Sequence, residues 1–524
     1  EGAEFLGLVV WILQDATWNL DQPVPRVSLV DVGAAAWFDD ISVYRLPRVE
    51  ITTRAPGEIL DEQGDSVLWV TLADSLDQQV TAELTLVSAD GTEIMRRQLH
   101  GAKGAAVASR IELSGLDPGL YGARVEVIDQ GRIIVSRSVQ FLKQAPLGPG
   151  ENRHVRAFGI VIDPEDRADL QTEAALLKNH TARSVKLPIW PEMQGPGNNA
   201  SEGRGLEQYY QELAKDQFLL AGVLRGPPAK LQPGSRRAQG ELLAMLAGDR
   251  GSWEPEIAAV AARTASLFRW WQIGADGQSV LEQTGPLKDA TAQLRSALRE
   301  FITVPRIATP ISANDEVNGA ALPVEQVTLA VQNASDLWQL AERIKTLKNQ
   351  GYEEVSAYVP PLGPDRFARE PRLVEWARRV LEARHAGADV VYVPQPWQGR
   401  ATLQGTVVEP VEEYLLFRTI AALLGDARPG PVISVAEQVR CLTFRGASHA
   451  VIAMWDDAPP PGGRTVAMQL GTAGRQVDLW GRSTPLRRDA SGRHLVTISA
   501  TPVLIEQVEP WAIDFATSVS MEPA

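Results

Sequence analysis

Acids and amides recur at or just past the ends of apolar runs in this chain: Asp163, Gln272, Asp276, Asp315, Glu316, Gln332 and Gln395. Two carboxylates facing each other across a cleft can divide proton donation and proton removal between them. Asp276, Asp315 and Glu316 are the candidate catalytic groups of that kind. Plainer readings stand beside them: a helix cap or turn for Asp276, and a solvated loop for Asn314-Asp315-Glu316. Tryptophan (14) outnumbers phenylalanine (11) and tyrosine (8). Core packing accounts for such a count, and so do indole faces offered to the apolar C–H faces of sugar rings. Asp39-Asp40 supplies carboxylates for a structural Ca²⁺ at Asp40, although a turn at a strand end explains it as well. No cofactor is called for by the chemistry. The six histidines have no HExxH spacing, and no GK[ST] follows the glycine-rich Gly195-Pro196-Gly197. His154 and His180 read as structural. The single cysteine, Cys441, excludes an intrachain disulfide and reads as a small buried apolar residue.

The elements that would position these residues change character along the chain. Residues 1–48 read as β, with a last strand near Ala36 to Val43, and are too short for a sandwich of their own. Residues 49–143 alternate short strands with turns such as Ala89-Asp90-Gly91 and Asp117-Pro118-Gly119, the pattern of an Ig-like sandwich. Residues 144–153, rich in proline and glycine, read as a linker. From 154 to 428, apolar runs alternate with amphipathic stretches. The expected strands are Val155–Ile162, Ser184–Trp190, Phe218–Leu224, Trp270–Gly274, Ile302–Ile311, Val327–Val331, Glu354–Val359 and Asp389–Val393. The clearest expected helices are Leu287–Phe301, Ser335–Gln350, Leu373–Ala386 and Val411–Leu424. That repetition over about 270 residues predicts a (β/α)8 TIM barrel. Pro305 is out of place in the fifth strand, because it removes a ladder donor. Residues 429–512 return to β as a C-terminal sandwich, and 513–524 form a tail. The fold class expected is multidomain α/β plus all-β, a TIM barrel flanked by β-sandwich domains.

Composition narrows the partners. Lys plus Arg is 51 against 65 for Asp plus Glu, a net charge of −14, which argues against nucleic acid. The apolar run Phe5–Leu13 is shorter than the roughly 20 residues a spanning helix needs, so no transmembrane segment is expected. It also lacks the basic flank of a signal peptide. The chain opens on Glu1 in what reads as the middle of a domain, so any targeting signal is expected outside it.

Several short motifs resemble those of the large clan of retaining glycosidases on (β/α)8 barrels. Trp37-Phe38-Asp39-Asp40-Ile41 looks like the closing strand of a jelly-roll carbohydrate-binding module. Trp271-Gln272-Ile273-Gly274-Ala275-Asp276 resembles the Trp-Glu-x-x-Asn-Glu signature at the end of strand four. Val451–Asp456, Asp478-Leu479-Trp480-Gly481-Arg482 and Ile498–Val503 look like the β-sandwich appended to many such barrels. The resemblance implies a polysaccharide or oligosaccharide partner and an extracellular, periplasmic or cell-surface setting. It places Asp276 at the acid/base position and Trp397 beneath the sugar next to the bond cleaved. Asp163, Trp190, Gln272, Gln332 and Gln395 would be substrate-binding neighbours.

The chain departs from that pattern where chemistry depends on it. Ala275 stands for the usual asparagine. The nucleophile is expected near Tyr358-Val359-Pro360-Pro361-Leu362, which holds no carboxylate. Retaining hydrolysis needs two carboxyl groups roughly 5–5.5 Å apart, and inverting hydrolysis roughly 6.5–9.5 Å. Three readings therefore stand: a glycan-binding barrel without the nucleophile, a hydrolase using Asp276 with a relocated carboxylate, or a structural surface or assembly component.

Overall fold

The computed structural model describes residues 47–60, 66–73, 81–101, 105–129, 131–148, 154–163, 169–189, 200–227, 242–282, 286–315, 321–402 and 405–518. The jelly-roll-like stretch with Asp40 lies outside the described residues.

The middle of the chain is a closed barrel of eight parallel strands in sequential order. They are β1 (Val155–Val161), β2 (Ala182–Pro188), β3 (Leu219–Leu224), β4 (Phe268–Ile273), β5 (Ile307–Ser312), β6 (Gln326–Ala330), β7 (Glu354–Tyr358) and β8 (Val391–Pro394). Both faces of each strand are covered, which is why the strands read as nearly unbroken apolar runs. Around them lie α1 (Leu170–Asn179), α2 (Ala200–Lys215), α3 (Leu242–Ala247), α4 (Arg250–Thr264), α5 (Leu287–Leu298), α6 (Leu340–Asn349), α7 (Arg369–His385) and α8 (Glu413–Leu424). α5 shows the logic: Ala290, Leu294, Ala297 and Leu298 repeat at helical spacing and are buried against the sheet.

The βα alternation has two irregularities. Both α3 and α4 lie between β3 and β4, and among the described residues no helix lies between β5 and β6. Pro305 is not in the ladder after all, because β5 begins at Ile307. Pro310 does lie within β5, and pairing with β4 is confined to Trp271↔Ile307 and Gln272↔Ala308. A proline nitrogen has no hydrogen to extend that ladder. The helix expected from Ser335 splits instead. A short 3₁₀ turn, Ala334–Leu337, is closed by a capping box between Asn333 and Asp336, and α6 starts after it.

Before the barrel, a three-stranded sheet (Arg48–Thr52, Val67–Ala73, Ala106–Glu112) faces a five-stranded one that includes Thr81–Ser88, Glu93–His100, Gly119–Asp129 and Arg132–Lys143. They share a core of Leu68, Val70, Leu84, Val125 and Phe141. After the barrel, a six-stranded sheet containing Val439–Arg445, Ala450–Asp456 and Val503–Val508 packs on a three-stranded one containing Arg464–Met468 and His494–Ile498. Cys441, Ile452, Val496 and Ile505 are buried between them. The opposite face of the larger sheet carries Phe444, Trp455 and Leu504, which belong to the same continuous core as the barrel. A hairpin, Trp397–Thr402 with Gly405–Pro410, connects β8 to α8. Its Val408 reaches Gly57 of the first sandwich, where a Cβ would lie 3.2 Å from Val408 Cγ1 and 2.7 Å from Leu176 Cδ2. Among the described residues no helix is long and apolar enough to cross a membrane.

Candidate functional site at the barrel mouth

In a barrel of this kind the chemistry gathers at the C-terminal ends of the strands. Alternation along each strand sends every second side chain toward the axis. On β2 this includes Lys186, on β4 Gln272, and on β6 and β7 the register partners Thr328 and Ser356. Lys186 lies wholly inside the barrel. Its ammonium donates to Asp276 Oδ1 at 2.6 Å, to Gln272 Oε1 at 2.7 Å and to Thr328 Oγ1 at 2.9 Å. It also sits 4.3 Å from the ring centroid of Tyr392 on β8. Burial pulls this ammonium below the usual lysine range, and Asp276 counteracts the shift.

Asp276 is brought back over the strand end by a tight turn in which Gly274 and Gly277 take φ of 100° and 85°, values that favour glycine. Its side chain is 2% exposed. The second carboxylate oxygen, Oδ2, accepts from Gln272 Nε2 at 3.0 Å, and the same amide donates to Gly274 O at 2.9 Å. Both oxygens of Asp276 are therefore engaged from inside the barrel. Below this layer Glu354 accepts from Gln326 Nε2 at 2.8 Å and faces Arg269 at 3.5 Å. Burial raises its carboxyl above the ordinary range.

The remaining candidates fall in different surroundings. Asp163, after β1, pairs with Arg225, after β3, at 2.8 Å, and both are partly exposed. Gln395 after β8 accepts from the Asp163 backbone N–H at 3.0 Å and donates to Trp397 O at 3.3 Å. Gln332 after β6 donates to Gly277 O at 2.7 Å, tying the β6 loop to the turn that carries Asp276. Asp315 accepts from Ser279 Oγ and from the Ser312 backbone N–H, while its own carbonyl accepts from Arg343. Its carboxylate braces the β5 loop. Tyr358 ends β7, and burial followed by the nearby Asp276 charge pushes its phenol well above the usual range. Val359, next in sequence, is buried and accepts from Trp376 Nε1 at 3.0 Å.

The structure thus joins Gln272 and Asp276 directly, links Gln332 to them through Gly277, and joins Asp163 to Gln395. Asp315, in the β5 loop, is tied to Ser279 in the loop that carries Asp276, and not to Asp276 itself. Trp397 is 1% exposed, with its ring centroid 6.4 Å from that of Tyr414, so the indole has no open face. Trp190 and Glu316 lie outside the described residues. Among the described residues no group of three His, Cys, Asp or Glu could hold a metal ion. Sequence reasoning missed Lys186 and Tyr392. The signal for Lys186 was a lone charge inside an apolar strand, which must find a buried partner. It also missed Trp338, which is 87% exposed just past the 3₁₀ turn that follows β6.

No family model matches the chain, and no curated protein matches it. Among solved structures, a family 39 glycoside hydrolase from Bacteroides cellulosilyticus WH2 superimposes with a TM-score of 0.59 at 11% identity, covering 84% of this chain and 96% of that one. This is a glycoside hydrolase fold. A family 30 endoxylanase from Clostridium papyrosolvens C71 gives 0.45 at 11% identity over 69% and 98% of the two chains. A putative glycoside hydrolase from Bacteroides vulgatus ATCC 8482 gives 0.43 at 11% identity over 84% and 98%. At 11% identity the likeness to the family 39 enzyme concerns the architecture alone. What the glycoside hydrolase fold does in this chain must be argued from the side chains at its mouth.

Proposed function

We propose that this protein binds carbohydrate at the barrel mouth without cleaving it. The observation that carries the reading is the buried Lys186–Asp276 pair. A general acid must reach the leaving oxygen with a proton to give. Asp276 points both oxygens at Lys186 and Gln272 and has almost no exposed surface. A second carboxylate must face it across the bond. The end of β7 offers Tyr358, Val359 and Pro360, and Asp163 is held by Arg225.

Binding has groups better suited to it. Trp338 presents an open indole beyond β6, on the mouth side of α6, with the side chains of Asn333 and Gln339 close in sequence. Arg225, Asp163 and Gln395 add polar groups between the ends of β1, β3 and β8. The natural setting of such a protein, outside the cytoplasm, belongs to the same reading, since polysaccharide is met there.

The test pairs a hydrolysis assay on aryl glycosides and polysaccharides with a glycan array. The expected result is no turnover above the uncatalysed rate, together with glycan binding that Trp338→Ala abolishes. That substitution on an open surface should leave stability within about 0.5 kcal/mol. Turnover that disappears in Asp276→Asn would overturn the reading.

A further inference from the structure

α8 runs down the outside of the barrel and ends on the side opposite the mouth. There a cleft of about 540 Å³ opens between the barrel and the C-terminal sandwich. Asp426 and Arg428 line it from the chain leaving α8, Ser448 and His449 from a turn between two sandwich strands, and Glu506 and Gln507 from Val503–Val508. That volume is in the range of pockets that take small molecules.

Two observations separate this cleft from a packing gap. The ladder between Ala450–Asp456 and Val503–Val508 loses its register between Ala450 and Ile452. At the same place Gln507 has φ +60°, in the left-handed region that a non-glycine residue enters reluctantly. An irregularity of this kind re-aims side chains, and residues held in such conformations gather at functional sites. The second observation is that three of its polar side chains are not used by the protein itself. Among the described residues, the side chains of Arg428, Ser448 and Gln507 take part in no hydrogen bond or ion pair, and Arg428 and Ser448 are exposed. Two other charges are already matched, since Arg445 pairs with Asp514, and Glu506 lies 3.4 Å from Arg475. What remains is the Arg428 guanidinium, the Ser448 hydroxyl and the Gln507 amide, beside Asp426, which lies near Arg384, and His449, which lies near Glu509.

We propose that this cleft binds a polyhydroxy carboxylate of monosaccharide size, such as a uronate. The planar fork of Arg428 suits a carboxylate held by two parallel hydrogen bonds. Asp426, Ser448 and Gln507 supply the acceptors and donors that ring hydroxyls require. The inference does not depend on what the barrel mouth binds.

Isothermal titration of the full chain with glucuronate, and with glucose as the neutral match, tests it. Glucuronate should bind at least about ten-fold more tightly than glucose. Arg428→Ala should bring glucuronate down to the level of glucose. Gln507→Gly, which relieves the backbone while deleting the amide, should weaken glucuronate by a smaller factor. Equal affinities for the two sugars, an Arg428→Ala variant that binds like the parent, or no heat with glucuronate at about 10 mM would overturn the proposal.

Discussion

Lys186 and Asp276 compensate each other in a space closed to water, so neither is dispensable alone. Lys186→Met leaves a buried carboxylate without its counter-charge and should cost about 3–5 kcal/mol in urea unfolding. Adding Asp276→Leu should recover most of that loss, because a buried pair is often replaced by apolar side chains with little penalty. A double variant no more stable than Lys186→Met would show that the pair does not act as a unit. His180 gives a second prediction at this scale. Its ring lies between Tyr414 and Phe417, and burial first, then Arg418 and Arg183, hold its pKa far below the usual imidazole value. The folded protein refuses a proton that the unfolded chain accepts below about pH 6.5. Stability should therefore fall as pH drops below that value, by up to about 1.4 kcal/mol per pH unit for this one group. Urea midpoints at about pH 7.5 and pH 5.5 would show it, and equal midpoints would contradict it.

Among the elements, β1 and β8 meet through a glycine. Gly159 stands beside Tyr392, and a Cβ there would come within 2.4 Å of Tyr392 Cε1 and 2.9 Å of the Ser184 carbonyl oxygen. Gly159→Ala must push aside the ring over which Lys186 sits, and should cost about 1–3 kcal/mol. Gly351→Ala tests a different constraint, the backbone alone, since nothing lies within 4 Å of a Cβ there although φ is +94°. Most barrel strands were legible in the sequence, because burial on both faces leaves apolar runs that end abruptly. Strand ends near proline were not. Ile302 to Arg306 is apolar enough to pass for strand, yet lies before the ladder begins at Ile307. The break at Trp338 was hidden because Leu337, Leu340 and Ile344 keep helical spacing across it, while the Asn333–Asp336 capping box closes the preceding turn. Gln272 and Asp276 were visible as neighbours within the motif that closes strand four. Their engagement with Lys186 was not, since it depends on a closed ring bringing β2 and β4 to a common axis.

At the scale of the whole molecule, the sandwich after the barrel is less separate than a change of composition implies. Phe444, Trp455 and Leu504 complete the apolar layer around α7 and α8. Arg369 of α7 and Trp480 of the sandwich both bond to Glu412 at the head of α8. Arg378 of α7 lies 3.1 Å from Asp457. Barrel and C-terminal sandwich should therefore melt as one cooperative unit, whereas the first sandwich has a core mostly its own. Cys441 lies inside that joint unit, and burial pushes its thiol up to about 12. A chain with a single sulfhydryl so placed carries its own stopwatch. Ellman's reagent should register nothing while the molecule is intact, and colour should then develop at the pace of the barrel's loss of ellipticity.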